Sequence, residues 1–457
     1  MATALQLADE RTLERPWVDS SAQTMARLFF ATFWVIVFNG AVRKWIAPNA
    51  SILYLLQDVP IFIAYCYAIW KGFFDRGYLM LGIVVLSTII LLQGLIQVLV
   101  LGLDFFVALA GFHNYLFYLP VLLVFPLCLT ERHRRNYIWW NLILSIPMCM
   151  LAIAQALSPR MAWVNRTTGG DAAGVPGADV ARVSGTFNFN GFYGIWVAMA
   201  VALCLGEWLL PKRRRVIQRT WLLILCTFTV NLCHLVAASR TAIVLAAIAV
   251  AGAMVGAVVL GSNRAIFAIG GILILLPVAA GATFVISPQE FNIVVQRFTG
   301  EDAKQNVTDR IEDTLIGFAT TPKFSLIGAG IGMGVDAAHV GNTDTYNFTY
   351  ELSELDTVRN VMELGTPVGL LYVLTRIAFV YGMIFLSIRL VRSGTSPHVL
   401  PLSFVLLAQN YADLTRSAAM TASQVMVGYA FILGAYYYPD AMTGLHFEAD
   451  DSLTRSE

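Results

Sequence analysis

Tyr78–Leu101 reads YLMLGIVVLSTIILLQGLIQVLVL, a largely apolar run without one charged side chain. A bilayer core about 30 Å thick is crossed by roughly 20 apolar residues in an α-helix, so this stretch places the chain in a membrane. Hydrocarbon offers no partner to an open backbone, and the run lacks the two-residue alternation of a barrel strand, which leaves the helix. Comparable runs recur on both sides, over about 27–42, 50–70, 105–129, 137–157, 190–210, 221–238, 241–260, 264–286, 361–390, 398–412 and 420–437. Together they predict about twelve transmembrane helices.

Composition agrees. The 457 residues are 58% hydrophobic and 13% charged, against about a quarter charged in soluble domains. The fold class expected is therefore an all-α polytopic membrane protein, a single membrane domain over residues 1–457 with polar tails at 1–25 and 443–457. The N-terminal MATALQLADERTLERPW has no short apolar core with a cleavage site, so it does not read as a removable signal. A net charge of +1, from 30 basic and 29 acidic residues, gives no footprint for a nucleic-acid partner. The six cysteines form no CxxC pair and read as small hydrophobes.

Orientation follows from the loops. KGFFDRG (71–77), ERHRRN (131–136), PKRRRVIQR (211–219) and SIRLVRSGTSPH (387–398) alternate with the remaining turns and hold the densest basic clusters. The positive-inside rule puts them, and both termini, in the cytoplasm. The outer side then receives Arg43–Pro48, Ser158–Asn190, the Ser239–Arg240 junction, the long stretch 287–360 and the turn containing Asp413 and Arg416. The 287–360 stretch is predicted to be a partly helical outer loop, because segments of that length usually build lids or sites.

Three places on that side can carry chemistry. Arg182, in ARVSGTFNFNGFYG, precedes an apolar helix among Gly and Asn residues, including Asn188 and Asn190, that allow close backbone approach. Arg240 interrupts NLCHLVAASRTAIVLAAIAV, where a charge is costly and usually paired or functional; His234 lies just before it. For both arginines the plainer reading is an anchor reaching lipid headgroups. In ELSELDTVRNVMELG, helical spacing brings Asp356, Arg359, Asn360 and Glu363 near one face, which leads into a membrane helix. Such carboxylates suit a general base, and a self-satisfied salt-bridge ladder is the competing reading. GAGIGMG (Gly328–Gly334) lacks the strand and GK[ST] ending of a nucleotide loop and reads as a tight fold against the bundle, followed by Asp336 and His339. No metal-ligand spacing stands out.

These motifs, in this order over about residues 180–375, resemble those of the bacterial O-antigen ligase and O-antigen polymerase superfamily. RVSGTFNFNG is similar to its Arg-x-x-Gly-Thr-Phe-x-Asn-x-Asn pattern, ASRTAIVLA to its Ser-Arg helix start, and PKFSLIGAGIGMG with ELGTPVGLLYVL to its Gly-rich turn and Glu-x-Gly-x-x-Gly helix. GAVRKW and QDVP look like features of some exopolysaccharide members. The resemblance implies a GT-C-like glycosyltransferase of the bacterial inner (cytoplasmic) membrane. It would invert the sugar carbon without metal or cofactor and take a polyprenyl-diphosphate-linked glycan as donor. No nucleotide-sugar is at hand outside the cytoplasm, so activation must arrive with the substrate. Arg182 and Arg240, with Arg359, would bind the diphosphate. Glu354 or Asp356, ahead of His339, would take the acceptor's proton, and Asn188, Asn190, Glu363 and Arg416 would support. The family's His-Asn pair before the Glu-x-Gly helix is missing here, which leans the expectation from ligase towards polymerase. Expected partners are the lipid-linked glycan, membrane lipids, a chain-length regulator and a flippase. Ligation to lipid A core or protein is the nearest alternative. A flippase is the alternative of another class, and it would need midplane ionisable groups and broken helices.

Overall fold

The computed structural model describes residues 18–48, 50–168, 181–237, 239–261, 277–285, 316–320, 325–334, 355–412, 414–415 and 418–439, with a few isolated positions between 270 and 312. The main elements are helices: α1 Val18–Ala41, α2 Asp58–Lys71, α3 Tyr78–Leu101, α4 Phe105–Leu116, α5 Glu131–Leu157, α6 Asn190–Leu209, α7 Thr220–Val236, α8 Arg240–Val259, α9 Asp356–Leu364, α10 Thr366–Arg392, α11 Val399–Ala412 and α12 Ala418–Tyr437. Among the described residues, seven helical stretches are long and apolar enough to cross a membrane: Ser20–Ile46, Tyr78–Leu101, Phe105–Cys128, Glu131–Leu157, Asn190–Leu209, Thr241–Val259 and Thr366–Arg392. The protein is an α-helical membrane protein of many passes.

Burial sorts these helices into centre and rim. The apolar window of α6 is 89% buried and that of α3 only 11%, so α6 runs through the core while α3 faces outward. The buried side chains of α3 are Ile90, Gln93, Gly94 and Gln97, one stripe at helical spacing that turns the two glutamines inward. The main core joins Phe29 and Val37 of α1, Leu142 of α5, Leu203 of α6, Val405 of α11 and Phe431 of α12.

The turns gather at two ends. At one, Tyr437 donates to Asp75 at 2.9 Å, Arg134 donates to the Gly434 and Tyr438 carbonyls, and Arg135 reaches the Arg214 carbonyl. Glu207 and His398 pair there at 2.9 Å. The four basic loops thus share one end. The opposite end holds Lys44 against Gly185, and Asn114 against the Thr415 carbonyl.

Three stretches read as single spans are broken. Between 50 and 70 a 3₁₀ turn, Ser51–Leu55, precedes α2; Gln57 sits at the break, donating to the Tyr54 carbonyl and accepting from Asn39. The 105–129 run interrupts at Phe117–Pro120, since proline has no N–H to continue α4. The 361–390 run divides at Gly365 (φ 81°), a conformation only glycine adopts without strain. Most of 264–286 lies outside the described residues.

Candidate functional site

At the end opposite the basic loops, α1 finishes in a π-helical turn, Val42–Ile46, and that turn presents Lys44. The RVSGTFNFN loop lies across it. Thr186 donates to the Val37 carbonyl at 2.6 Å, and Gly40 is required because a Cβ there would overlap the backbone of Thr186–Asn188. The Lys44 ammonium donates to the Gly185 carbonyl at 2.6 Å and the Ser184 hydroxyl at 3.1 Å. Gln155 of α5 accepts from the Ser184 and Gly185 N–H groups and fixes the same loop from its other side.

This assembly holds cations without matching anions. Lys44 is only 1% exposed, and among the described residues no carboxylate pairs with it or with Arg182. The buried Nε of Arg182 has no hydrogen-bond partner, nor does either polar atom of the buried Asn188 side chain. Burying a charge without a counter-charge is expensive, so the arrangement favours an anionic ligand. Asn190 opens α6, and Gly194 packs so closely on Ala242 that a Cβ would sit 3.2 Å from the Ala242 Cβ. The first turns of α6 and α8 are therefore side by side, which brings two positive helix ends together beside the loop. Arg240 begins α8, with Ser239 capping the Ala242 N–H; the placement of the Arg240 side chain lies outside what is described.

The acidic cluster is built differently from the expectation. α9 does not run on into α10. Gly365 folds it back, so Asn360 and Val361 lie against Gly369, and Asp356 meets Arg376 at 2.6 Å. Arg376 is ten residues into α10, about 15 Å from Thr366 at 1.5 Å per residue. Asp356 and Arg359 are consequently buried, packed beside the Thr415 turn at this end of the bundle. The Asp356 carboxylate accepts from Arg359, Arg376, the Asn360 amide, and both the N–H and the hydroxyl of Thr415. Burial raises its pKa, but Arg376 and Arg359 outweigh that and hold the carboxyl well below the usual range.

Glu363 is gripped by the glycine-rich turn. Gly334 N–H donates to Glu363 Oε1 at 2.7 Å and Gly332 N–H to Oε2 at 3.4 Å, while Tyr115 donates at 2.8 Å. A Cβ on Gly334 would overlap Arg359 and Glu363, and one on Gly332 would overlap the Val107 carbonyl. The anion that this loop cradles is the chain's own Glu363. Burial nonetheless pushes the Glu363 carboxyl above its ordinary pKa, against the pull of Arg359 and these donors. Gln93 and Gln97 complete the seat, donating to the carbonyls of Ile327, Glu363 and Leu364.

A third carboxylate joins from α2. Asp58 accepts from the Tyr118 hydroxyl and meets His113 Nε2 at 3.0 Å. His113 Nδ1 faces Asn114 Oδ1, and the Asn114 amide donates to the Thr415 carbonyl at 2.9 Å. Both imidazole nitrogens face acceptors, which suits the doubly protonated ring. Thr415 thereby links this pair to Asp356.

Of the sequence candidates, Asp356, Arg359 and Glu363 come together, and Arg182, Asn188 and Asn190 share the loop and helix start near Lys44. Glu354, His339 and Arg416 lie outside the described residues. Lys44 and Asp58 fell within GAVRKW and QDVP but were given no role, and His113 and Arg376 were missed. A signal existed for Arg376, which interrupts the apolar run YVLTRIAFV. A scan against models of known protein families finds no match, and a search of curated proteins finds none either.

Proposed function

We propose that this protein is a metal-independent, inverting glycosyltransferase that joins polyprenyl-diphosphate-linked oligosaccharide repeat units into a surface polysaccharide at the outer face of the bacterial inner membrane. The wider reading of twelve spans in a GT-C-like arrangement belongs to the same proposal. One observation carries it: the buried Lys44 ammonium is held by Ser184 and Gly185, in the loop that Arg182 enters, with no carboxylate partner among the described residues, beside the paired first turns of α6 and α8. A diphosphate leaving group is the ligand such a place would stabilise, because negative charge develops there as the sugar–oxygen bond breaks. The acceptor hydroxyl attacks the sugar carbon from the opposite face, and its proton passes to a base. Five donors occupy Asp356, so Glu354 or His339 is the better base. Asp356 then serves to hold Arg359 and Arg376.

Transfer of finished glycan to lipid A core or protein uses the same donor and differs only in acceptor. A lipid-linked glycan flippase is the second reading, and a specific observation favours it: α9 is a half-length helix folded back on α10, and it buries the ionisable pair Asp356 and Arg376.

Deletion of the gene followed by analysis of lipid-linked and surface glycan separates these readings. Single repeat units exposed on lipid, with long polymer gone, support polymerisation. Polymer accumulating on the carrier means ligation, and units trapped at the inner leaflet mean flipping; either result rejects the polymerase.

A further inference from the structure

α6, α7 and α8 leave a cavity of about 240 Å³ between them. A single water needs only about 10–15 Å³, so the space suits something larger. Its walls are largely apolar, with Leu205, Val230, Ile243 and Val250 among them, and it reaches the surface at Ala247, which is exposed. One stripe of α7 adds polar groups, Thr227, Asn231 and His234. The first two are satisfied: the Thr227 hydroxyl donates to the Leu223 carbonyl at 2.7 Å, and the Asn231 amide to the Thr227 carbonyl at 2.8 Å. His234 is not. It is 3% exposed, and neither ring nitrogen has a hydrogen-bond partner.

The cavity's position says what would enter it. Ile243 lies one turn below Arg240, and from Ile243 to Val250 the wall runs about 10 Å along α8. It therefore begins just beneath the first turn of α8 and descends parallel to the helices, with α6 joining the wall from Val201, about 16 Å along from Asn190. A chain attached to an anion held at the first turns of α6 and α8 would pass His234 and continue between apolar walls. A diacyl lipid brings two chains to one head, whereas these three helices enclose a single slot.

We propose that this cavity seats the head-proximal part of an isoprenoid chain, with His234 donating a hydrogen bond to the ester oxygen that joins chain to phosphate. The inference rests on the glycan-transfer reading for its head group, while the seat of the chain stands on the cavity itself.

The test uses the full chain in lipid nanodiscs and geranylgeranyl diphosphate carrying a diazirine in its first isoprene units. Light should attach the probe to peptides of α7 and α8, and unlabelled geranylgeranyl diphosphate should compete. Ala247→Trp, which fills the slot, should cut attachment at least tenfold while inorganic pyrophosphate still binds, and His234→Leu should cut it several-fold. Mapping the site on the unaltered protein keeps the test valid if a variant folds poorly. Capture elsewhere on the protein, unaffected by Ala247→Trp, overturns the cavity assignment and leaves the head-group site standing. Equal labelling of the same peptides by a diazirine phosphatidylglycerol also overturns it, in favour of an unselective lipid slot. Absence of binding by both the probe and pyrophosphate removes this inference together with the glycan-transfer reading.

Discussion

Asp356 and Arg376 stand 20 positions apart in the chain yet pair at 2.6 Å, because the turn at Gly365 lays α9 back along α10. Arg359 approaches the other oxygen of the same carboxylate, so one buried anion serves two buried cations.

Removing that anion should be far worse than removing it together with a cation. Asp356→Ala leaves Arg376 without its carboxylate and Arg359 with only the longer 3.8 Å contact to Glu363, and should destabilise the protein by about 3–5 kcal/mol. Adding Arg376→Leu should recover part of that loss. Thermal unfolding of the two single variants and the double variant in detergent checks this; simple additivity would show that the pair is not coupled.

Gly365→Ala tests the hairpin itself. The residue would need φ 81° with an extended ψ, a region essentially reserved for glycine that costs roughly 1–3 kcal/mol, and its Cβ would overlap the Leu326 carbonyl. A clear fall in melting temperature is expected, with faster proteolysis near residue 365. A melting temperature equal to wild type would contradict the turn described.

Lys44→Met, Arg182→Ala and Arg240→Ala should each abolish polymer formation while leaving membrane insertion intact. Trp45 stacks on Trp163 at 5.5 Å beside this loop, so tryptophan fluorescence reports whether the loop keeps its place. Wild-type polymer in the Lys44 and Arg182 variants would remove the anion site.

Glu363 gives a pH dependence with a definite sign. Its folded pKa is raised, so the folded state holds the proton more firmly than the unfolded chain. Stability from this group is fully present below the ordinary carboxylate value and is lost as pH rises through the folded one. Glu363→Gln should flatten that part of the stability profile. An unchanged slope in the variant would assign the dependence elsewhere.

Sidedness can be read with cysteine labelling. In a Cys66→Ala background, Arg166→Cys should react with an impermeant maleimide in spheroplasts, whereas Arg213→Cys should react only after permeabilisation. Both positions are exposed and lie at opposite ends of the bundle. The reverse pattern would invert the orientation expected from the basic loops.

Much of the architecture was legible because lipid imposes a coarse rule: Tyr78–Leu101 and Asn190–Leu209 had to be helices whatever they packed against. The breaks were harder, since Gly365 and Gln57 act through local geometry that hydropathy averages away. The acidic helix illustrates the limit. Spacing correctly put Asp356, Arg359 and Glu363 near one another, but no local pattern reveals that Arg376 and Thr415 arrive from elsewhere to bury them. A polar helix satisfied by distant partners looks, in sequence, like one satisfied by water. Lys44 was hidden for a related reason, because a lysine at a helix end ordinarily reaches solvent.

The glycine turn has a mechanical consequence. Gly334 and Leu355 are both fastened to the same short helix, Gly334 at the carboxylate of Glu363 and Leu355 through its carbonyl, which accepts from the Arg359 N–H. A pull at either fastening is returned to α9 within a turn or two of Arg359, where the buried charges are balanced.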